Sequence, residues 1–357
     1  MVLDLTASSV ELTRALCDMP SVSGDEKPLA DAIEAALVPL AHLEVIRHGN
    51  TIVARTNLGR AQRVAIAGHI DTVPINDNVP TRDIEIDGVA YLWGRGTVDM
   101  KAGAAVQLKL AAELTDPVID ITWMWYDNEE VEASKNGLGL LAAVRPDLFQ
   151  ADFAILGEPS NGEVEGGCNG TLRAIVRTTG VRAHAARAWI GENAIHRAGP
   201  ILTRLGEYRA KEVPVDGLVY RESLSAVRIT GGVAGNVIPD ACEVEVNYRF
   251  APSKSAADAE AHVRGVLAGF DVEITDAAEG ARPGLDAPIA QQFVAAVGAE
   301  PRPKYGWTDV ARFSALGIPA VNYGPGDPHL AHHDEERVPL AQIDAVERGL
   351  RAWLTSH

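Results

Sequence analysis

Cysteine is nearly absent from this chain. Cys17, Cys168 and Cys242 are odd in number, far apart and outside any CxxC pair. That excludes a disulfide framework and fits a reducing cytoplasm, with three inert core thiols expected. No apolar run approaches the ~20 residues that span a bilayer. The start, MVLDLTASSVELTRAL, is acidic and amphipathic without a basic leader, so a cytoplasmic protein away from membranes is expected. Positive charge is also scarce. With 32 Lys and Arg against 49 Asp and Glu, the formal net charge of -17 disfavours nucleic acid and anionic lipid, whose phosphates the field repels. A small anionic ligand is still allowed, since it responds to arginines within a Debye length of ~8 to 10 Å. A phosphate-cradling loop is missing too, because GRGTVD lacks both a GK[ST] ending and full GxGxxG spacing. A nucleotide-dependent oxidoreductase is disfavoured on that ground.

What is present is an alternation of helical and strand patterns over a length that favours two domains. Ser23 and Glu26 have capping-box spacing, and Leu29, Ile33, Leu37 and Leu40 form a helical stripe after them. VIRHGNTIVART, RVAIAGHID, VIDITWMWY and DFAILG read as strands, and KAGAAVQLKLAAEL reads as a helix with Asp99 at or near its N-cap. After Glu158 the pattern changes to β-α-β-β-α-β: LRAIVRT, NAIHRAGPILTRLGEY, LSAVRITGG, CEVEVNYRF, AADAEAHVRGVLAG and VEITDA. That is the split ferredoxin-like order, at a plausible domain size. The expected division is 1–170 with 286–357 as a catalytic domain and 171–285 as an insertion.

Several apolar runs end in residues that bind or activate a metal: His69 and Asp71 after AIAG, Glu129 and Glu130 after TWMWYDN, and Glu158 after FAILG. Asp99 and His332 complete the set, and together they suit a dinuclear hydrolytic centre. In open α/β sheets ligands collect at the carboxyl ends of strands. Asp71 lies two residues from His69 on one side of a strand, where its carboxylate can take the imidazole N–H and fix the ligating tautomer. Glu129 and Glu130 are adjacent, so in an extended chain they point oppositely, one to metal and one to water. Asp99 can bridge two cations with its two oxygens. His332 and His333 are alternatives for the last ligand. An isolated member of the set has a bland reading, a core histidine or a solvated acid; jointly they are specific. His184, beside Arg182 and Arg187, is by itself a basic patch.

GHIDTVP, GRGTVDMKAG, the NEE triplet, LGEPS and the late GPG…AH…E segment together resemble the dinuclear zinc aminoacylase, deacetylase and carboxypeptidase family over essentially the whole chain. GVRAHAARAWIGENAIHRA, the GNVIPD turn and the NYRF strand look most like its desuccinylase members. The resemblance implies an α/β fold, a mixed-sheet zinc-peptidase-like catalytic domain with an inserted ferredoxin-like α+β dimerisation and lid domain. It implies two divalent cations, zinc first and cobalt as the alternative. One is held by His69, Asp99 and Glu158, the other by Asp99, Glu130 and His332, and the Asp99-Met100 peptide is cis. Glu129 becomes the general base, with Asp71 supporting His69, and His184 an oxyanion donor from the other subunit of a homodimer. Thr171, Asn236, Arg249 and Thr308 match substrate-binding positions for a small anionic N-acyl amino acid. Where some relatives carry an arginine pair, this chain has Cys168-Asn169, with Arg173 nearby. Acetyl-amide deacylases of the family are the rival reading, and a metal-binding protein without turnover is the rival class.

Overall fold

The computed structural model describes residues 3–356. Its most buried strands are those read above as apolar runs. Asp120–Tyr126 is buried at every position, Phe153–Leu156 likewise, and Arg63–His69 from its second residue. Strands covered on both faces carry no polar alternation, which is why these segments read as continuous. They lie side by side in a mixed sheet in the order Thr51–Arg55, Asp120–Tyr126, Arg63–His69, Phe153–Leu156, Ala320–Asn322. The last four run parallel, and Glu44–His48 adds an antiparallel edge through a hairpin. The His69 strand has later strands on both sides of it. It is the switch point of the sheet, the place beyond whose strand ends ligands collect in open α/β sheets.

The helix Lys101–Glu113 is buried from Lys101 to Ala111 and packs on the His69 strand and on the helices Ser9–Cys17 and Leu340–Thr355. Its small residues permit this. A Cβ at Gly103 would stand 2.1 Å from the main-chain oxygen of Gly157, so the helix after Asp99 lies directly against the loop that carries Glu158. Lys101 ties the same turn to the first helix, donating to the carbonyls of Leu16 and Met19 at 3.0 Å each. Ser23 and Glu26 do not cap the helix Lys27–Leu37, whose N-cap is Glu26 with no side-chain cap bond. Both side chains are drawn elsewhere, as described below.

The chain divides into two compact units. The first comprises everything up to Gly166, Gly284–Arg302, and the chain from Arg312 on; the second is Gly167–Pro283 with Pro303–Ala311. Assigning residues 303–311 to the second unit departs from the expected 286–357 boundary. The reason is local bonding: Asn169 N donates to Lys304 O at 3.2 Å, Cys168 Sγ to Thr308 O at 3.7 Å, and Trp307 Nε1 to Glu279 O at 3.1 Å. The second unit is a four-stranded antiparallel sheet ordered Ser223–Gly231, Ala241–Phe250, Gly170–Thr179, Asp271–Ala278. With the helices Ala194–Glu207 and Ala256–Val266 this is the split β-α-β-β-α-β topology. A small hairpin, Glu212–Val215 with Leu218–Arg221, is an unforeseen addition.

All three cysteines are buried. Burial pushes the Cys17 thiol up to about 12 and the Cys168 thiol up to about 11, so neither offers a thiolate at neutral pH. No helix among the described residues is long and apolar enough to cross a membrane.

Candidate metal centre

The parallel strands deliver their side chains to one edge of the sheet. His69 ends its strand, Glu129 and Glu130 follow Tyr126, and Glu158 follows Leu156 by two residues. Asp99 arrives from the GRGTVD loop and His332 from the loop after Ala320–Asn322. Donor atoms of His69, Asp99 and Glu158 lie within 4.8 Å of one another, as do those of Asp99, Glu130 and His332. Asp99 belongs to both sets. His69 Nε2 is 3.0 Å from Asp99 Oδ1, and His332 Nε2 is 3.3 Å from Asp99 Oδ2 and 2.9 Å from Glu130. The two oxygens of one carboxylate thus face two different imidazoles, which is what a bridging ligand requires.

Asp71 does more than orient His69. His69 Nδ1 donates to the main-chain carbonyl of Asp71 at 3.0 Å, with the carboxylate 3.5 Å away. A carbonyl can only accept, so Nδ1 carries a proton, and Nε2 is the atom directed at Asp99, free to act as a metal donor once its own proton is displaced. The Asp71 carboxylate, close to that ring, also accepts from Glu129 N at 3.0 Å, Glu130 N at 3.1 Å and Ser23 Oγ at 2.7 Å. One buried aspartate therefore fixes both glutamates. The strict alternation expected of Glu129 and Glu130 does not apply, because Asn128 has a φ of 57° and the segment after Tyr126 is a turn. Donor atoms of both glutamates fall within 4.8 Å of the His69 donor and of each other.

Of the two late histidines, His332 joins the cluster. Its φ of 64° turns the ring toward Asp99 and Glu130. His333 Nδ1 accepts from Glu335 N at 3.1 Å, and its carbonyl accepts from Arg95.

Electrostatics make the cluster a cation site. Burial opposes charge on His69, yet the carboxylates of Asp71 and Asp99 outweigh it and hold the ring well above the ordinary histidine range. Hydrogen bonds to Asp99 and then Glu130 raise His332 to about 10. Burial opposes ionisation of Asp99, but His332 and His69 keep its carboxyl far below the usual carboxylate range. Protons on the imidazoles here balance the crowded acids, a task that divalent cations perform when bound. Imidazole and carboxylate donors without thiolate suit zinc, cobalt or manganese, so the donor set fits two such ions.

Three residues escaped the sequence reading of the site. Glu26, fully buried, accepts from Gly24 N at 2.8 Å and from Asn128 N at 3.2 Å, fixing the turn that leads into Glu129. Glu336, also fully buried, accepts from Val98 N at 2.8 Å and Asp99 N at 3.0 Å through one oxygen, and from Arg95 Nη1 at 2.9 Å through the other. Since Arg95 also holds the His333 carbonyl, this pair joins the Asp99 loop to the His332 loop. Only burial separates Glu336 from the solvated acids beside it in HHDEER, and burial is invisible in a motif.

The other expected site residues lie in the second unit. His184 is exposed, its Nδ1 accepting from Ala186 N at 3.0 Å. Its cross-strand partner is Val237, and just beyond that short pair Ala185 N donates to Asn236 O at 2.8 Å. Thr171 and Arg249 are cross-strand partners linked through Asn247, which receives Arg249 Nε at 3.1 Å and donates to Thr171 Oγ1 at 3.4 Å. Thr308 is buried, with its carbonyl accepting from Cys168.

Comparison with known proteins accords with this chemistry. Residues 65–356 match the model of peptidase family M20/M25/M40. The succinyl-diaminopimelate desuccinylase of Corynebacterium glutamicum is 48% identical over 99% of this chain and 98% of its own length. A Mycobacterium tuberculosis protein, provisionally assigned the same name, is 55% identical over 99% of both chains. Among solved structures, a Staphylococcus aureus tripeptidase shares the fold at 20% identity, with a TM-score of 0.77 over 99% of this chain and 98% of its own. A dinuclear metal-binding peptidase from Bacillus subtilis aligns with a TM-score of 0.69 at 17% identity, over 97% of this chain and 96% of its own. With strand-end ligands, a carboxylate shared by two donor sets, and matches along the whole chain, this protein belongs to peptidase family M20/M25/M40.

Proposed function

We propose that this chain hydrolyses N-succinyl-LL-2,6-diaminopimelate to succinate and LL-2,6-diaminopimelate as a cytoplasmic step of lysine and diaminopimelate synthesis. The observation that carries the reading is the sharing of Asp99 by two donor sets in a chain nearly half identical, end to end, to the C. glutamicum desuccinylase. His69, Asp99 and Glu158 would hold one cation and Asp99, Glu130 and His332 the other, zinc in the first place and cobalt as the alternative. Bound there, the two ions supply Lewis acidity and a water of lowered pKa.

Within this reading Glu129 takes the proton of the attacking water and returns it to the leaving nitrogen. Its main-chain N–H is held by Asp71, which fixes the point from which the base reaches the water. His184 of the partner subunit donates to the oxyanion. Support for a homodimer comes from apolar surface around that histidine and on the edge strand: Trp189 is 80% exposed, Ile190 62% and Val227 59%. Thr171, Asn236, Arg249 and Thr308 bind the anionic substrate.

Acetylornithine deacetylase chemistry is the second reading, favoured by one observation. Cys168 and Asn169 occupy the place of an arginine pair, and both are spent internally, Cys168 on Thr308 O and Asn169 Nδ2 on Arg221 O at 2.9 Å. Turnover of N-succinyl-diaminopimelate and N-acetylornithine by the metal-loaded protein separates the two. Preference for the succinyl amide is expected, and preference for the acetyl amide replaces the first reading with the second.

A further inference from the structure

The sheet of the second unit has one covered face and one open face. Leu172, Ala174, Val176, Val244, Val246 and Tyr248 pack beneath the two helices, so the alternate residues of the same strands face away. Strand register sets those residues in rows. Toward one end stand Thr230, Glu243 and Arg177, then Arg228, Glu245 and Ile175. Toward the other stand Ser225, Asn247, Arg173 and Asp276, then Ser223, Arg249, Thr171 and Ala278.

Charge is treated differently at the two ends. Arg177 pairs with Glu243 at 2.8 Å and also with Glu273, and Arg228 pairs with Glu245 at 2.8 Å. Neither Arg173 nor Arg249 has a carboxylate within 4.0 Å among the described residues. Asp276 shares the row of Arg173, but the register shift between Ile274 and Asp276 accompanies the lack of an ion pair. Arg249 spends only Nε on a protein acceptor, Asn247 Oδ1, which leaves its outer nitrogens available. Burial first, and the neighbouring charge of Arg173 second, hold the Arg249 guanidinium below its ordinary range. Two adjacent guanidiniums without a counter-ion repel each other, and a carboxylate between them relieves that repulsion and offers each fork two acceptors.

We propose that Arg173 joins Arg249 in an anion subsite for the free carboxylate of a dicarboxylic acyl group, and that Arg173 is the residue that selects succinyl over acetyl amides. The proposal deepens the desuccinylase reading and rests on it. The test compares metal-loaded wild type, Arg173→Met, Arg173→Lys and Arg177→Met on N-succinyl-diaminopimelate and its N-acetyl counterpart. Arg173→Met is expected to raise KM for the succinyl amide at least tenfold and to lower the succinyl-to-acetyl ratio of kcat/KM by a similar factor. Arg173→Lys restores part of that ratio, and Arg177→Met, which removes an already paired arginine, leaves it unchanged. An unchanged ratio in Arg173→Met overturns the proposal. If wild type fails to cleave the succinyl amide, the desuccinylase reading fails by itself, and calorimetry on the loaded protein then decides on the subsite. Succinate binding at least tenfold weaker in Arg173→Met, with acetate as the single-carboxylate control, supports the subsite, and equal succinate binding rejects it.

Discussion

The acid cluster of the first unit and the open sheet face of the second solve opposite electrostatic problems. In the first, carboxylates crowd together and three are restrained through their main chains: Asp71 holds Glu129 and Glu130, and Glu336 holds Asp99, while Glu26 holds Asn128 in the turn before the glutamates. In the second, two arginines stand without counter-ions among the described residues, on a sheet whose other two arginines, Arg177 and Arg228, are paired. The excess negative charge is immobilised by buried hydrogen bonds, whereas the excess positive charge is left open to incoming groups. On the proposed function, geometry that must serve bond cleavage is over-determined, and geometry that reads a substrate is not.

The sharpest way to break that contrast is at the base. Glu129→Gln keeps the main-chain bonds to Asp71 and removes only proton transfer, so kcat should fall by about 10³-fold or more with both cations retained, as rate assays and metal analysis would show. Near-normal turnover would mean the restrained cluster does not contain the base. Next in size is Gly103→Ala. Its Cβ would meet the Gly157 carbonyl and force the Asp99 helix from the Glu158 loop, costing about 1 to 3 kcal/mol in chemical denaturation. An unchanged midpoint would show that the close approach relaxes freely.

Glu336→Gln addresses the brace between loops. It should weaken the cation held by Asp99, Glu130 and His332 about tenfold, roughly 1.4 kcal/mol, more than the cation held with Glu158, as stepwise titration with a chelator would register. Equal weakening of both, or of neither, would remove Glu336 from that role. The smallest effect is on pH dependence. His332 in the metal-free protein is raised to about 10 by Asp99 and Glu130, so its contribution is complete below the unfolded value near 6.5. It is lost as pH climbs through about 10. Melting of the metal-free protein should therefore drop by a few degrees across that window, and a flat profile would contradict the pairing.

Much of the cluster was legible because buried parallel strands advertise themselves as unbroken apolar runs, and the residues just after them are the ones with unusual chemistry. His69, Glu129, Glu130 and Glu158 came from that rule, whereas Asp99 stood out by its place between the GRGTVD loop and the helix that follows. His332 could not be separated from His333 by sequence, since the choice turns on a single left-handed residue in a loop. The capping box expected of Ser23 and Glu26 does not form because Ser23 is drawn to Asp71 and Glu26 to Gly24 and Asn128, and two of those three partners lie far along the chain. Two hairpins were overlooked despite a signal in plain view: Asp87-Gly88 and Asp216-Gly217 sit between alternating strands, and all four residues adopt the positive φ of a tight hairpin turn. The 303–311 segment was misassigned because its attachment depends on main-chain carbonyls, which carry no sequence signature.

The account stands on Asp99 serving two cations at once. Metal analysis of wild type and His332→Ala, after equilibration with zinc at defined free concentration, tests this most directly. The expected result is two ions per wild-type chain and one, with affinity little changed, in the variant. A single ion in wild type, or two ions bound as tightly in His332→Ala, would contradict the shared-carboxylate centre.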